Sequence, residues 1–284
     1  MVYVFVYGTL RKGESNAYLL KNAICIAEQA WTNGEMYDTG NGYPAIKPSL
    51  TLRVYGELYL VTESELERLD QLEGYTSGST NNLYERIEQT VYTDRGEKEA
   101  FVYVEGNASI CKEEIHRGDW KEYRLLNKQK KPNHKILYFA YGSCMDDKRF
   151  KMAGVEHYFQ NVIGVGLLTN YSLRFTYCSK IDGMGRADIV EEGGHVEGKV
   201  YEIPIHALED YLYIREGVPY AYRPTFVTVE LNGKKVEVLT FVVAQKAEET
   251  PPPDWYAEEI LRGASGYLTE DYIARLTEHI HFLK

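Results

Sequence analysis

The feature that most constrains this chain of 284 residues is an internal duplication. Two apolar and aromatic runs, Val2–Val6 and Ile136–Ala140, are each followed by Tyr-Gly and then by threonine or serine. Short β-branched and aromatic runs predict buried strands, and the glycine predicts a turn directly after each one. A chain of this length with two such copies predicts two domains, which we place at 1–127 and 136–284 with a basic, proline-broken linker at 128–135.

The two turns are candidate anion-binding loops. Glycine lets the backbone approach a ligand closely, and successive N–H groups at a bend can point at a carboxylate or phosphate. One copy alone also fits an ordinary junction between a strand and a turn, but two copies favour a functional role. The candidate binding residues are those of the first turn, Tyr7, Gly8, Thr9 and Leu10, and of the second turn, Tyr141, Gly142, Ser143 and Cys144.

A helix that ends in Leu-x-x-x-Glu-Gly follows each turn after a strand-rich stretch, with Glu73 in the first half and Glu216 in the second. The first helix has a capping box at Thr62 and is expected to stop at Gly74. A carboxylate on the last helical turn faces the negative end of the macrodipole, and burial would raise its pKa further. Such a group suits general acid/base catalysis, although a glutamate at this position can also simply face solvent.

Composition and charge exclude several classes of function. A formal charge of −10 argues against nucleic acid and anionic lipid as partners. No apolar stretch approaches the ~20 residues needed to cross a bilayer, and the amino terminus lacks the pattern of a signal peptide, so we expect a cytoplasmic protein without a membrane partner. The four cysteines form no Cys-x-x-Cys pair, and His279-x-His281 is isolated, so we expect neither a metal nor another cofactor.

Further motifs recur in the same order. Gly42–Ile46 predicts a pocket wall and corresponds to Gly185–Val190. Gly56–Tyr59 and Gly198–Tyr201 predict strands whose glycines allow close backbone approach. In the second half, Asn232-Gly233 predicts a hairpin turn and a helix is expected from about Ile205. Two more features of that half are the motif Glu216–Val218 and a proline-rich tail. The first half contains the further motifs Tyr43–Ala45, Leu69–Tyr75 and Gly118–Trp120.

With its motifs in this order, the second half resembles γ-glutamylcyclotransferase. The first half is similar to the smaller AIG2-like, or γ-glutamylamine-cyclotransferase, branch of the same superfamily. The resemblance implies an α+β fold with two tandem domains, each a small mixed β-barrel with flanking helices. It also implies release of 5-oxoproline from a small γ-glutamyl substrate. Two departures from the family pattern stand in the second half: Tyr213 replaces an aspartate, and the spacing between Gly198 and Glu216 is one residue longer than that between Gly56 and Glu73.

The resemblance implies that Glu73, Glu216 or both act as general acid/base. The substrate's α-amine would attack its own γ-carbonyl, so no enzyme nucleophile is needed, and Cys144 is interpreted as a loop residue. The two turns would hold the substrate carboxylate or the developing oxyanion. Two alternatives stay open: a regulatory protein that binds small anions without turnover, and deglutamylation of a dedicated biosynthetic intermediate. The leaving amine, the more active half and the oligomeric state are left open.

Overall fold

The computed structural model describes residues 1–106, 110–127 and 134–284. The chain forms two compact units, Met1–Asn127 and Lys128–Lys284, called here the first and second unit. Of the predicted linker 128–135, residues 128–133 lie outside the described residues, and Lys135 is already the first residue of a strand. None of the helices in the described ranges combines the length and the apolar character that crossing a membrane requires.

The first unit is built on a closed barrel of five strands, in the order β1-β5-β2-β6-β7, with a small sheet β4-β3-β8 beside it. Its strands are β1 (Val2–Val6), β2 (Ile24–Asn33), β3 (Glu35–Asp38), β4 (Pro44–Lys47), β5 (Arg53–Val61), β6 (Tyr84–Thr93), β7 (Gly96–Glu105) and β8 (Glu113–Glu114). Its helices are a 3-10 turn (Ala17–Leu20), α1 (Glu63–Glu73) and α2 (Trp120–Asn127).

The second unit has a closed barrel of five strands, β10-β13-β9-β15-β14, and a two-stranded sheet, β11-β12. Its strands are β9 (Lys135–Ala140), β10 (Val162–Thr169), β11 (Ser172–Cys178), β12 (Gly185–Val190), β13 (His195–Pro204), β14 (Tyr222–Leu231) and β15 (Lys234–Val243). Its helices are two 3-10 turns (Ser143–Met145 and Glu156–Tyr158), α3 (Asp147–Ala153), a π-helical turn (Leu208–Leu212), α4 (Tyr213–Arg215), α5 (Asp254–Ala264) and α6 (Glu270–Phe282).

The duplication in the sequence is present in the fold. Strand β1 pairs antiparallel with β5 and parallel with β7, and β9 pairs antiparallel with β13 and parallel with β15. Counted from these strands, the two barrels have the same circular order. The expected α+β fold, with a small mixed barrel and flanking helices in each unit, is therefore confirmed.

Neighbouring strands approach the strand glycines closely, as the sequence predicts. A Cβ atom on Gly56 would lie 2.2 Å from the Val6 carbonyl oxygen and 2.7 Å from the Phe5 ring. A Cβ atom on Gly198 would lie 2.4 Å from the Ala140 carbonyl oxygen. Any side chain at these positions would therefore push the first strand of the barrel away, and with it the turn at the end of that strand.

The helix that carries the first candidate acid forms as predicted. Thr62 and Glu65 make a reciprocal capping box, and Gly74 ends the helix in the left-handed conformation at φ 64°. The Tyr75 N–H then donates to the Asp70 carbonyl at 2.9 Å, which satisfies a carbonyl that the helix end leaves exposed. The end of the helix therefore holds Glu73 at a fixed position on the last turn of α1.

The equivalent helix of the second unit departs from the expected regular form. A π-helical turn, Leu208–Leu212, precedes the short α4, and Gly217 ends the segment at φ 62°. A π turn holds more residues than an α turn, so it can absorb a single inserted residue without rotating the rest of the helix. The π turn therefore accounts for the extra residue between Gly198 and Glu216. At the end of the helix the Val218 N–H donates to the Tyr213 carbonyl at 3.0 Å, as the Tyr75 N–H donates to the Asp70 carbonyl in the first unit.

Candidate active site

The structure brings the predicted residues of the first unit together. The first turn and Glu73 line one cavity of about 290 Å³, near the lower end of the roughly 300–1,000 Å³ of small-molecule sites. Tyr43 and Pro44 form one wall, as the Gly42–Ile46 motif predicts. We call this space the first cavity.

Glu73 is poised to exchange protons near neutral pH. Burial raises its pKa to about 7, in the direction that the sequence predicts. The carboxylate forms no hydrogen bond or ion pair with any residue in the described ranges. Burial and the Glu73 charge also raise the pKa of Tyr84, so that the hydroxyl beside it stays protonated.

The first turn is held so that part of its backbone donates to no backbone carbonyl of the described residues. The Tyr7 hydroxyl donates to the Tyr103 carbonyl at 2.7 Å, and the turn closes through Arg11 N–H to the Gly8 carbonyl at 3.1 Å. Within the part of the chain that the structure describes, no backbone carbonyl accepts the Thr9 N–H. Gly8 is required here because a Cβ atom would lie 2.8 Å from the Pro44 ring.

A buried charge cluster next to the first turn was not anticipated from the sequence. Arg11 donates to Glu57 at 3.4 Å and to Asp119 at 3.0 Å, and all three side chains are buried. Glu57 also accepts the Lys12 N–H at 2.9 Å and the Tyr59 hydroxyl at 2.9 Å. The cluster ties the residues after the turn to strand β5 and to the start of α2. In the sequence, the only nearby sign of this cluster is that the charged residue Arg11 directly follows the first turn, because Glu57 and Asp119 are far along the chain.

The second unit also brings its predicted residues together, but in far less space. The second turn and Glu216 line a cavity of about 30 Å³, the second cavity. The Cys144 thiol lies 3.3 Å from Glu216 Oε1, and Arg215 donates to the Ser143 hydroxyl at 3.0 Å. Burial, with the Glu216 charge next in size, raises the pKa of Cys144 to about 12. Cys144 is therefore a neutral thiol that donates to the carboxylate, which agrees with its interpretation as a loop residue.

Comparison with known proteins identifies the family. The profile described as "Gamma-glutamyl cyclotransferase, AIG2-like" matches residues 4–122, and that described as "AIG2-like family" matches residues 195–276. The chain is 43% identical over 294 residues to YkqA of Bacillus subtilis, and the match covers 99% of this chain and 98% of that protein. The name of that protein places it among the gamma-glutamylcyclotransferases and states no substrate. This chain belongs to the gamma-glutamylcyclotransferase family.

The gamma-glutamylcyclotransferase fold extends over both units. The crystal structure of YkqA from Bacillus subtilis superposes with a TM-score of 0.88 at 42% identity, covering 99% of this chain and 98% of that chain. A Niallia circulans relative, named gamma-L-glutamyl-butirosin B gamma-glutamyl cyclotransferase, is 42% identical over 126 residues, 44% of this chain and 79% of that protein. The family consists of gamma-glutamylcyclotransferase-type enzymes, and this chain carries two copies of its fold in tandem.

The two copies of the gamma-glutamylcyclotransferase fold differ in the residues that support the glutamate. In the first unit Asp70, one helical turn before Glu73, accepts hydrogen bonds from Arg86 at 2.6 and 2.8 Å and from the Tyr103 hydroxyl at 2.7 Å. Tyr103 also lines the first cavity. This polar trio fixes the last turn of α1 to the hairpin β6–β7.

In the second unit an apolar contact replaces that trio. Tyr213 stands at the position of Asp70, and its ring packs edge-on against Phe241 with centroids 6.1 Å apart. By strand register Phe241 takes the place of Tyr103 and Pro224 that of Arg86. The departure at Tyr213 is thus one part of a coordinated exchange, and Glu216 still lines the second cavity.

Proposed function

We propose that this chain releases 5-oxoproline from γ-glutamyl amines or peptides, with Glu73, Glu216 or both as the general acid/base. The observation that carries the proposal is that Glu73, with a pKa near 7, lines the same cavity as the first turn. The reaction needs one group that both takes and gives a proton, and one surface that holds an anion.

The reaction closes a five-membered ring within the substrate. The α-amine nitrogen attacks the γ-carbonyl carbon, a C–N bond forms, and the C–N bond to the leaving amine breaks. In net terms one proton passes from the attacking nitrogen to the leaving nitrogen, and Glu73 carries it. Because the nucleophile belongs to the substrate and is held near its target, the effective molarity is high and no covalent enzyme intermediate is required.

The first turn is proposed to hold the substrate's negative charge. The Thr9 N–H donates to no backbone carbonyl of the described residues and can serve the α-carboxylate or the oxyanion that develops on the γ-carbonyl. Protonated Tyr84 adds a neutral hydroxyl at the same wall, although it already donates to the Pro44 carbonyl at 2.8 Å. The binding residues proposed are therefore Tyr7, Gly8, Thr9 and Leu10, with Tyr141, Gly142, Ser143 and Cys144 as the equivalent set.

The leaving amine is best found with a panel. Purified protein is incubated with γ-glutamyl amino acids, γ-glutamyl-lysine, glutathione and a γ-glutamyl aminoglycoside, and 5-oxoproline is quantified. The aminoglycoside is included because the Niallia circulans relative is named for γ-L-glutamyl-butirosin B. A protein that binds members of the panel but converts none of them would favour the alternative of a non-catalytic anion-binding protein.

Site assignment uses Glu73→Gln and Glu216→Gln, singly and together. Glutamine keeps the shape of the side chain but cannot accept a proton, so each variant tests proton transfer in one unit. The double variant is expected to lose 5-oxoproline release. Activity that survives the double substitution would show that these carboxylates are not the acid/base.

A further inference from the structure

The Thr9 hydroxyl in the first turn accepts a hydrogen bond from the side chain of Asn16. Asn16 Nδ2 donates to Thr9 Oγ1 at 3.0 Å, and the Asn16 N–H donates to the Thr9 carbonyl at 2.9 Å. Asn16 therefore holds Thr9 twice, once through its backbone and once through its side chain. Both residues line the first cavity together with Glu73.

The Asn16 side chain makes this contact in place of the one that is usual for its position. Asn16 directly precedes the 3-10 turn Ala17–Leu20, where an asparagine side chain commonly caps the free N–H groups of the turn. It forms no such capping bond here. The Asn16 N–H already closes the loop on the Thr9 carbonyl, so the side-chain bond serves the hydroxyl itself.

The second unit forms the equivalent bond with a different residue. Ser143 stands at the position of Thr9, and Arg215 Nη2 donates to the Ser143 hydroxyl at 3.0 Å. The donor follows the hydroxyl by 7 residues in the first unit and by 72 residues in the second. The two units thus share a turn hydroxyl that accepts a hydrogen bond, while the donor differs in chemistry and in its place along the chain. This pattern favours a function for the hydroxyl.

A hydroxyl that accepts one hydrogen bond still has its own hydrogen to donate. Because Asn16 occupies a lone pair of the Thr9 oxygen, the hydroxyl hydrogen points away from Asn16. Within the ranges that the structure describes, no group accepts a hydrogen bond from it. The Thr9 N–H also donates to no backbone carbonyl of those residues. Thr9 therefore offers two donors to an anion in the first cavity.

We propose that the Thr9 hydroxyl donates to the anionic group bound at the first turn and that Asn16 is the positioning residue that orients this hydroxyl. The inference rests on the proposed function only for the identity of the bound molecule, a γ-glutamyl compound or 5-oxoproline. It requires residue 16 to donate. Aspartate has the shape of asparagine but accepts, so it would turn the hydroxyl hydrogen away from the bound anion.

Binding of 5-oxoproline to the full chain tests the inference without turnover. Nuclear magnetic resonance follows the Gly8 backbone amide, which reports on the first turn alone. Thr9→Val replaces the hydroxyl by a methyl group and is expected to weaken binding about tenfold or more, because a hydrogen bond to a charged group is lost. Thr9→Ser keeps the hydroxyl and should bind within about threefold of the wild type.

Variants of Asn16 separate positioning from packing. Asn16→Ala is expected to weaken binding about threefold to tenfold in the wild type but less than about twofold in Thr9→Val, where no hydroxyl remains to be oriented. Asn16→Asp should weaken binding at least as much as Thr9→Val. Asn22→Ala makes the same change as Asn16→Ala at an exposed position and is the matched control, which should bind as the wild type does.

Release of 5-oxoproline supplies a second measurement. In a Glu216→Gln background, which confines turnover to the first site, Thr9→Val and Asn16→Asp should each lower kcat/KM about 10- to 100-fold through the loss of one donor to the oxyanion. Circular dichroism and thermal unfolding establish that each variant is folded. Thr9→Ala is the second variant without a hydroxyl, and it is used if Thr9→Val does not fold.

Three results would overturn the inference. The first is a wild-type protein whose Gly8 amide does not respond to 5-oxoproline. The second is a folded variant without the Thr9 hydroxyl that binds as tightly as the wild type, and the third is full additivity of Asn16→Ala and Thr9→Val. A wild type that binds 5-oxoproline at the first turn but releases none from the substrate panel would contradict the proposed function alone.

Discussion

The Arg11 guanidinium donates to Asp119 across 3.0 Å in the interior of the first unit. The pair joins the residue after the first turn to the start of α2, where Asp119 also accepts the Lys121 and Glu122 N–H groups at 2.9 and 3.1 Å. One carboxylate thus caps a helix and anchors the turn. A change in Arg11 should therefore affect both stability and the geometry of the first cavity.

Arg11→Met is expected to destabilise the first unit by about 3–5 kcal/mol, because it leaves the buried carboxylates of Glu57 and Asp119 without their cation. In the second unit the same two positions hold Met145 and Lys199, and the Lys199 ammonium donates to the Met145 carbonyl at 2.8 Å. The double variant Arg11→Met/Glu57→Lys copies that arrangement and should recover part of the loss. Denaturant unfolding measures both, and a double variant no more stable than Arg11→Met would contradict the equivalence.

The features predicted well from the sequence depend on residues close together along the chain. The capping box of Thr62 and Glu65, the stop at Gly74 and the Asn232-Gly233 hairpin all form as predicted, with φ of 51° and 73° in the hairpin turn. Each is decided within a few residues by local hydrogen bonds and by backbone freedom. The cavity itself was predictable because the motifs that line it occur twice in the same order.

The features that were missed depend on distant residues or on broken periodicity. Strand β2 has register shifts between Cys25 and Ala27 and between Ala27 and Ala30, so its side chains do not alternate regularly and the strand pattern is hidden. Arg11 forms an ion pair with Asp119, which lies near the end of the first unit's sequence. Tyr256 lines the second cavity from a helix more than a hundred residues after the second turn, an arrangement that no local pattern encodes.

Gly56→Ala is expected to destabilise the first unit by several kcal/mol. The added methyl group would lie 2.2 Å from the Val6 carbonyl oxygen, which cannot move without disturbing the β1–β5 pairing. Gly34→Ala is the matched control, because its nearest neighbours would be at an ordinary 3.4 Å, and it should change the stability by less than about 1 kcal/mol. Thermal unfolding that ranks the two variants equally would contradict the close-approach argument.

The rate of 5-oxoproline release should depend on pH through Glu73. Only the carboxylate form can accept a proton, and the pKa of Glu73 in the ligand-free protein is about 7, so kcat/KM should fall about tenfold per pH unit below that value. The pH profile of kcat/KM measures this limb, and the residual activity of Glu73→Gln should lack it. An acid limb near the ordinary glutamate value of 4.5 would show that another group limits the reaction.

The same pKa gives a stability prediction that needs no substrate. Folding raises the pKa of Glu73 from 4.5 to about 7, so the folded state holds the proton more tightly, and this contribution is lost as the pH rises from about 4.5 through 7. Above pH 7 the charge on the partly buried Glu73 destabilises the first unit, and Glu73→Gln removes that charge. The variant should therefore be more stable than the wild type by about 3 kcal/mol at pH 8, with most of the difference gone at pH 5.

Denaturant unfolding at the two pH values measures the effect. Glu67→Gln is the matched control, since it makes the same substitution on the same helix at an exposed position and should shift stability equally at both pH values. The expected pattern is a pH-dependent gain for Glu73→Gln alone. A gain of the same size at pH 5 and pH 8 would mean that Glu73 is charged in the folded state throughout this range, and a carboxylate of that kind could not serve as the acid that protonates the leaving amine near neutrality.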